Sequence, residues 1–192
     1  MKKDIILCGV GGQGILSIAT IIGEAATEAG INLKQAEVHG MSQRGGDVQS
    51  NLRLSTEPIY SDLISLGGAD VVISMEPMES LRYLPYLAKN GTIVTSNKPF
   101  VNIPDYPDET ALMAELASMP SVVQLDIENV AKDAGNARGA NMVLLGMAAP
   151  FIEIISVEQL RKAISVIFAR KGEAVVEANL KAFDKGVEAS KK

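Results

Sequence analysis

The chain has no tryptophan, one histidine and one cysteine among its 192 residues, and aromatic side chains make up 4% of it. So few rings leave the core to aliphatic side chains and alanine. A lone cysteine, Cys8, excludes a disulfide framework, a multi-cysteine zinc site and a cysteine-ligated iron–sulfur cluster built by this chain alone. It also fits a reducing compartment. No apolar stretch reaches the ~20 residues that a membrane-spanning helix needs. The opening MKKDIILCGVGGQG imitates a secretory leader briefly, then runs into glycines without a small-residue cleavage site. Beyond the MKK and SKK ends there is no basic run, and the formal net charge is -5. Neither a nucleic acid nor a membrane surface is therefore an expected partner. The expected location is cytoplasmic.

What is present suffices for one globular domain. Apolar residues are 47% and charged residues 21%, close to globular averages, so a single domain over 1–192 is expected. DIILCGV is a short apolar run stopped by glycines, which suits a strand covered on both faces. In the following GILSIATIIGEAATEAG, Ile15, Ile18, Ile21, Ile22 and Ala25 recur at helical spacing, with Gly30 placed to end the helix. NLKQAEV reads as a second strand. VQSNLRLS reads as a strand pairing with EPIYS across a turn near Glu57–Pro58. ADVVISM is a further apolar strand, followed by a helix over PMESLRYLPYLAK with proline at its start. GTIVTS and SVVQLD read as two more strands, and 97–108, with three prolines, as an ordered extended connection.

After Asp126 the pattern turns helical. Ser156 and Gln159 have capping-box spacing ahead of Val157, Leu160, Ile164 and Phe168. Gly172 stops that helix, and Val175, Val176, Leu180 and Phe183 mark the inner face of a last one. The expected fold is α/β: a Rossmann-like, mostly parallel sheet flanked by helices, with a helical C-terminal third over about 127–192.

Two glycine-rich segments carry the chemistry. GVGGQG, with Gly9, Gly11, Gly12, Gln13 and Gly14, follows a strand and opens a helix, the context in which G-x-G-x-x-G binds phosphate. Glycines let a phosphate approach the backbone, and the helix N-terminus offers free amides and partial positive charge. The bland alternative is a tight strand–helix packing turn that binds nothing. The second segment, EVHGMSQRGGDVQ, combines Glu37, His39, Arg44, Gly45 and Gly46, hydrogen-bonding groups with ample backbone freedom. Glu37 stands about where a dinucleotide enzyme keeps the acid for its ribose, but it is equally placed to hold its own loop. His39 is either a proton-transfer group or a loop residue. Cys8 reads as a small buried hydrophobe, and Ser17 lacks the elbow that would make it a nucleophile. No catalytic triad, carboxylate pair or metal cluster stands out, which favours a binding module over a self-sufficient enzyme.

GVGGQGI and EVHGMSQRGGDVQSNLRLS together resemble the gamma subunits and gamma domains of 2-oxoacid:ferredoxin oxidoreductases. The resemblance continues through ADVVISMEPMESLRYLPYL, NARGANMVLLGM and NLKAFDKG, so it covers nearly the whole chain. Within that group HGMSQRGG is most similar to the beta subunits of the indolepyruvate enzymes. The resemblance implies a large partner subunit carrying thiamine diphosphate and iron–sulfur clusters, with ferredoxin as electron acceptor. It also implies oxidative decarboxylation of an arylpyruvate to an aryl-acetyl-coenzyme A, with this chain contributing to coenzyme A binding. Two other expectations stay open: a free-standing NAD(P)- or flavin-dependent oxidoreductase using Gly9–Gly14 and Glu37, and a non-catalytic interaction module.

Overall fold

The structure is a computed structural model that describes residues 1–39 and 45–191. The chain runs β1 (Lys2–Val10), α1 (Ile15–Glu28), β2 (Asn32–His39), β3 (Asp47–Ser55), β4 (Ala69–Ser74), α2 (Pro77–Arg82), β5 (Leu87–Ser96), α3 (Glu109–Ser118) and β6 (Val122–Leu125). Four helices follow: α4 (Ile127–Asp133), α5 (Ala140–Ile152), α6 (Val157–Phe168) and α7 (Glu173–Ala189). The strands form one sheet in the order β2-β3-β1-β4-β5-β6. β1, β4, β5 and β6 pair in parallel. β2 and β1 both pair antiparallel with β3, so β3 alone is reversed. The expected mostly parallel α/β sheet with a helical C-terminal third is what forms.

Alternation along the inner strands builds two cores of unequal size. Ile5, Leu7, Val71, Ile73 and Val94 face a large cluster supplied by α1, α4, α5, α6 and α7. Ile6, Cys8, Val72 and Ile93 face a smaller one with Tyr83 and Leu116. Both faces of β1 are covered, which is why its sequence is continuously apolar.

Two expectations need correction. VQSNLRLS does not pair with EPIYS; as β3 it inserts between β1 and β2, with Leu52 opposite Ile5 and Leu54 opposite Lys3. Pairing with β1 over nine positions buries Leu52 and Leu54 completely. The short 57–61 segment has Pro58, which lacks an N–H, and its Tyr60 is 92% exposed. The helix expected over 77–89 stops at Arg82, gives a single tight turn at Leu84–Tyr86 and becomes β5 at Leu87. Pro85 accounts for this, since its ring would collide with the carbonyl of Leu81 and it donates no hydrogen bond. The sequence also gave no clear sign of α3, whose buried face is Leu112 and Leu116 alone.

Candidate functional site

The chain leaves β1 towards β2 and leaves β4 towards β5, so the C-terminal ends of β1 and β4 form the point where connections diverge. Open α/β sheets bind ligands at such a crevice. The glycine turn lies there. Gln13 closes it from both sides of Val10: its N–H donates to the Val10 carbonyl at 3.1 Å, and its Oε1 accepts the Val10 N–H at 2.7 Å. Gly12 and Gly14 have φ of 101° and 86°, a region that L side chains rarely adopt. Gly9 lets the turn pack closely, since a Cβ there would crowd Ile15 Cγ1 and Met75 Cβ, both at 3.1 Å. α1 starts from Gly14 without a side-chain cap or an acid in its first turn. Ser17 N–H turns back to Gly14 O at 3.1 Å, and the partial positive charge at the helix start, with no acid in that turn to offset it, is left for an anion.

The second glycine segment joins the first. Gly11 N–H donates to Gly46 O at 2.8 Å, and Gly45, at φ 77°, presents its carbonyl to Asn102 Nδ2 at 2.6 Å. A cleft of about 290 Å³ opens between Gly11, Gly12, Gly14, Leu16 and Val48. Of the residues singled out from sequence, Gly9, Gly11, Gly12, Gln13, Gly14, Gly45 and Gly46 come together at this crevice. His39 ends β2 opposite Val48, but its side chain and all of Arg44 lie outside the described residues. Glu37 sits on β2 opposite Ser50, hydrogen-bonded by Gln35 Nε2. With β3 between β1 and β2, Glu37 is two strands from the turn, about 10 Å across the sheet. A ribose acid belongs on the strand next to β1, so this order disfavours the NAD(P) expectation.

Sequence reasoning missed two amides and an acidic cluster. Asn102 reaches the site from the 97–108 connection, and Asn141, in the first turn of α5, donates to Gly14 O at 3.2 Å. Asp47, Glu76 and Glu79 lie on the α2 side of the sheet. Glu76 is wholly buried. Its carboxylate caps α2 by accepting the Glu79 N–H at 2.9 Å, and accepts the Phe100 N–H at 3.2 Å and the Tyr106 hydroxyl. The cap of one helix therefore anchors the 97–108 connection as well. Asp47 accepts the Tyr83 hydroxyl at 3.0 Å. Burial pushes the Glu79 carboxyl up; Arg82, ion-paired at 2.9 Å, opposes this, and Asp47 reinforces it. Burial raises the Cys8 thiol far above its usual range, so it is no nucleophile at neutral pH. Each acid is engaged in holding structure, and no nucleophile–base pair forms among the described residues. The arrangement is suited to gripping an anion with backbone amides. The one sequence signal for the acids is the Glu-Pro step at 76–77, an N-cap followed by proline at N1.

The chain matches, over residues 4–189, the sequence model of the family described as pyruvate ferredoxin/flavodoxin oxidoreductase. It is 37% identical to the indolepyruvate oxidoreductase subunit IorB of Thermococcus kodakarensis, covering 100% of this chain and 98% of that one. The gamma subunit of a keto/oxoacid ferredoxin oxidoreductase from Geobacter sulfurreducens superposes with a TM-score of 0.70 at 28% identity, covering 98% of both chains. The 2-oxoglutarate:ferredoxin oxidoreductase of Magnetococcus marinus, solved with 2-oxoglutarate, coenzyme A and succinyl-CoA bound, superposes with a TM-score of 0.76 at 26% identity. There the match covers 99% of this chain and 31% of the longer one. Among the described residues no helix is long and apolar enough to cross a membrane.

Proposed function

The chain belongs to the pyruvate ferredoxin/flavodoxin oxidoreductase family, and from that premise we propose that it is the small subunit of an indolepyruvate:ferredoxin oxidoreductase whose glycine turn binds coenzyme A phosphates. The observation that carries this reading is the end-to-end relation to indolepyruvate oxidoreductase subunits, 34% to 37% identical over nearly the full length of each. The crevice at the ends of β1 and β4 supports the coenzyme A part. Uncapped amides and side-chain-free backbone there suit a pyrophosphate, and the Magnetococcus marinus enzyme holds coenzyme A.

The redox chemistry belongs to a large partner subunit in the cytoplasm. One cysteine cannot ligate an iron–sulfur cluster, and the described residues include no group of three His, Cys, Asp or Glu fit for a metal. In the assembled enzyme, thiamine diphosphate and iron–sulfur clusters on the partner would supply the decarboxylation of the arylpyruvate and the electron path to ferredoxin, and the coenzyme A thiol would take up the acyl group. This chain's part is to hold the coenzyme by its anionic end. Phe100, Val101 and Ile103, exposed at 45%, 69% and 41%, flank Asn102 beside the glycine turn. They support contact with the large subunit at that edge.

Co-expression with the large subunit tests this reading. The complex should oxidise indolepyruvate only with coenzyme A present, and the small subunit alone should be inactive. Gly12→Ala adds a Cβ that meets nothing within 4 Å, so it acts through backbone strain at the turn. It should raise the KM for coenzyme A. An unchanged KM would remove the glycine turn from the coenzyme site.

A further inference from the structure

Beside the glycine turn lies a second cavity of about 480 Å³, bounded by the first turn of α1, the loop before α5 and the start of α7. Its polar lining is Ser17, Asn136, Arg138, Asn141, Lys171 and Asn179, and none of its lining residues is acidic. In a chain of net charge -5, two cations sharing one cavity without a carboxylate are unusual. Neither Arg138 nor Lys171 makes an ion pair among the described residues. Lys171 is instead held over the Phe168 ring, 5.2 Å from its centre, which fixes its stem at the rim.

The amide groups are held in place too. Asn136 Nδ2 donates to Asn179 Oδ1 at 3.3 Å, and Asn179, itself buried, donates to Val175 O at 2.8 Å. Asn141 Nδ2 donates to Gly14 O, so one amide joins the cavity to the glycine turn. Each NH₂ group has two hydrogens, and Asn136 and Asn141 use one each. A Cβ at Gly139 would stand 2.6 Å from Asn136 Nδ2, so a side chain there would displace that amide from its place. α5 and α7 both begin at this cavity without a side-chain cap. α5 has no acid in its first turn and adds partial positive charge to that of the two side chains, whereas Glu173 in the first turn of α7 offsets that helix's share.

We propose that this cavity is a second anion subsite, built to take a phosphate monoester. A guanidinium fork, an ammonium and fixed amide donors match the oxygens and charge of that group. The phosphate is supplied either by the nucleotide end of coenzyme A or by a separate phosphorylated molecule. The first source rests on the glycine-turn reading; the phosphate chemistry of the cavity does not.

The test uses the full chain, alone and in its complex, with Arg138→Gln/Lys171→Gln and Gly12→Ala compared with wild type. Arg138 and Lys171 are exposed, so the double variant should keep its melting temperature. Affinities are measured for coenzyme A, coenzyme A lacking its 3′-phosphate, adenosine 3′,5′-bisphosphate and inorganic phosphate. If coenzyme A fills the subsite, wild type prefers the 3′-phosphorylated forms and the double variant loses roughly ten- to a hundredfold of that preference. If a separate molecule fills it, the double variant loses phosphate binding while both coenzyme forms bind as in wild type. Either result supports the subsite. It is overturned if the double variant matches wild type for all four ligands, alone and in the complex. Gly12→Ala reports separately: unchanged coenzyme A affinity there defeats the glycine-turn reading, whatever the double variant does.

Discussion

Gly146 of α5 lies directly against Gly186 of α7, so that a Cβ on Gly146 would stand 3.0 Å from Gly186 Cα. A Cβ on Gly146 would also strike the Phe183 carbonyl oxygen, and one on Gly186 would strike that of Val143. Asn136 and Asn179, ten and seven residues earlier, meet through their amides. NARGANMVLLGM and NLKAFDKG thus touch at both ends, and the two helices run in the same sense with their backbones in contact. This contact fixes the start of α5, and with it Asn141 at the glycine turn.

Gly146→Ala and Gly186→Ala should each destabilise the fold by about 1–3 kcal/mol, because neither backbone can give way cheaply. A chain of this size loses roughly 2–4 °C of melting temperature per kcal/mol. Gly23→Ala in α1 is the contrast: its Cβ would meet only Leu33 Cδ2, at 3.6 Å. Replacing that helical glycine should stabilise by roughly 0.5–1 kcal/mol. Thermal unfolding followed by circular dichroism decides between these signs.

Gln13→Ala should open the glycine turn. The Val10 N–H, on a residue that is 2% exposed, would lose its acceptor, at a cost of about 1–3 kcal/mol. Gln13→Glu keeps an acceptor in place and should recover much of that stability, but it brings negative charge beside the amides. Coenzyme A affinity should therefore fall in both variants. A Gln13→Glu variant that binds as tightly as wild type would contradict an anion site at the turn.

Stability should fall as pH rises above about 4.5 through the raised value of Glu79. Its carboxyl is pushed up by burial, so the fold favours the protonated form more than the unfolded chain does. That contribution is complete below the unfolded value and is lost as the folded group ionises. Glu79→Gln stays neutral and should lack this fall, leaving it more stable than wild type near neutrality. Parallel urea titrations of the two proteins over this pH range would show it. Curves that run in parallel would refute it.

Arg53 should be costly to remove. Its Nε and Nη2 grip the carboxylate of Asp4, 2% exposed, at 2.8 and 3.1 Å. Nη1 holds the carbonyls of Ser61 and Leu63. Arg53→Ala leaves a buried charge with Lys2 as its remaining ion-pair partner, for a loss of about 3 kcal/mol. Arg53→Lys restores charge without the planar fork and should recover only part of it. Equal melting temperatures for wild type and Arg53→Ala would mean that the pair contributes nothing.

Arg44 lies outside the described residues, and its proposed role is to grip a coenzyme phosphate or a carboxylate of the large subunit. Arg44→Ala should then weaken binding of coenzyme A or of the large subunit by roughly ten- to a hundredfold, while the melting temperature barely moves. Titration of the variant against each binding partner, beside a melting curve, separates this from a solvated loop charge and from a structural residue.

The sequence by itself determined whatever is settled between near neighbours in the chain. Ser156 and Gln159 form the capping box that their spacing announced, each accepting the other's N–H. Gly30 ends α1 in the left-handed conformation, with its own N–H on Thr27 O and that of Ile31 on Ala26 O. The order of strand, glycine turn and helix was equally plain, because an apolar run, positive φ and helical spacing are local properties. Only the tertiary structure decided that β3 would enter the sheet beside β1, which moved Glu37 away from the turn. It alone brought Asn102 to Gly45, 57 positions away, and Asn141 to Gly14, 127 positions away. Such contacts leave no periodic trace, because an asparagine that completes a site looks, one residue at a time, like one that faces water. The pairing of Gly146 with Gly186 was hidden for the same reason: a glycine that admits another helix has the same sequence signature as one that merely bends the chain.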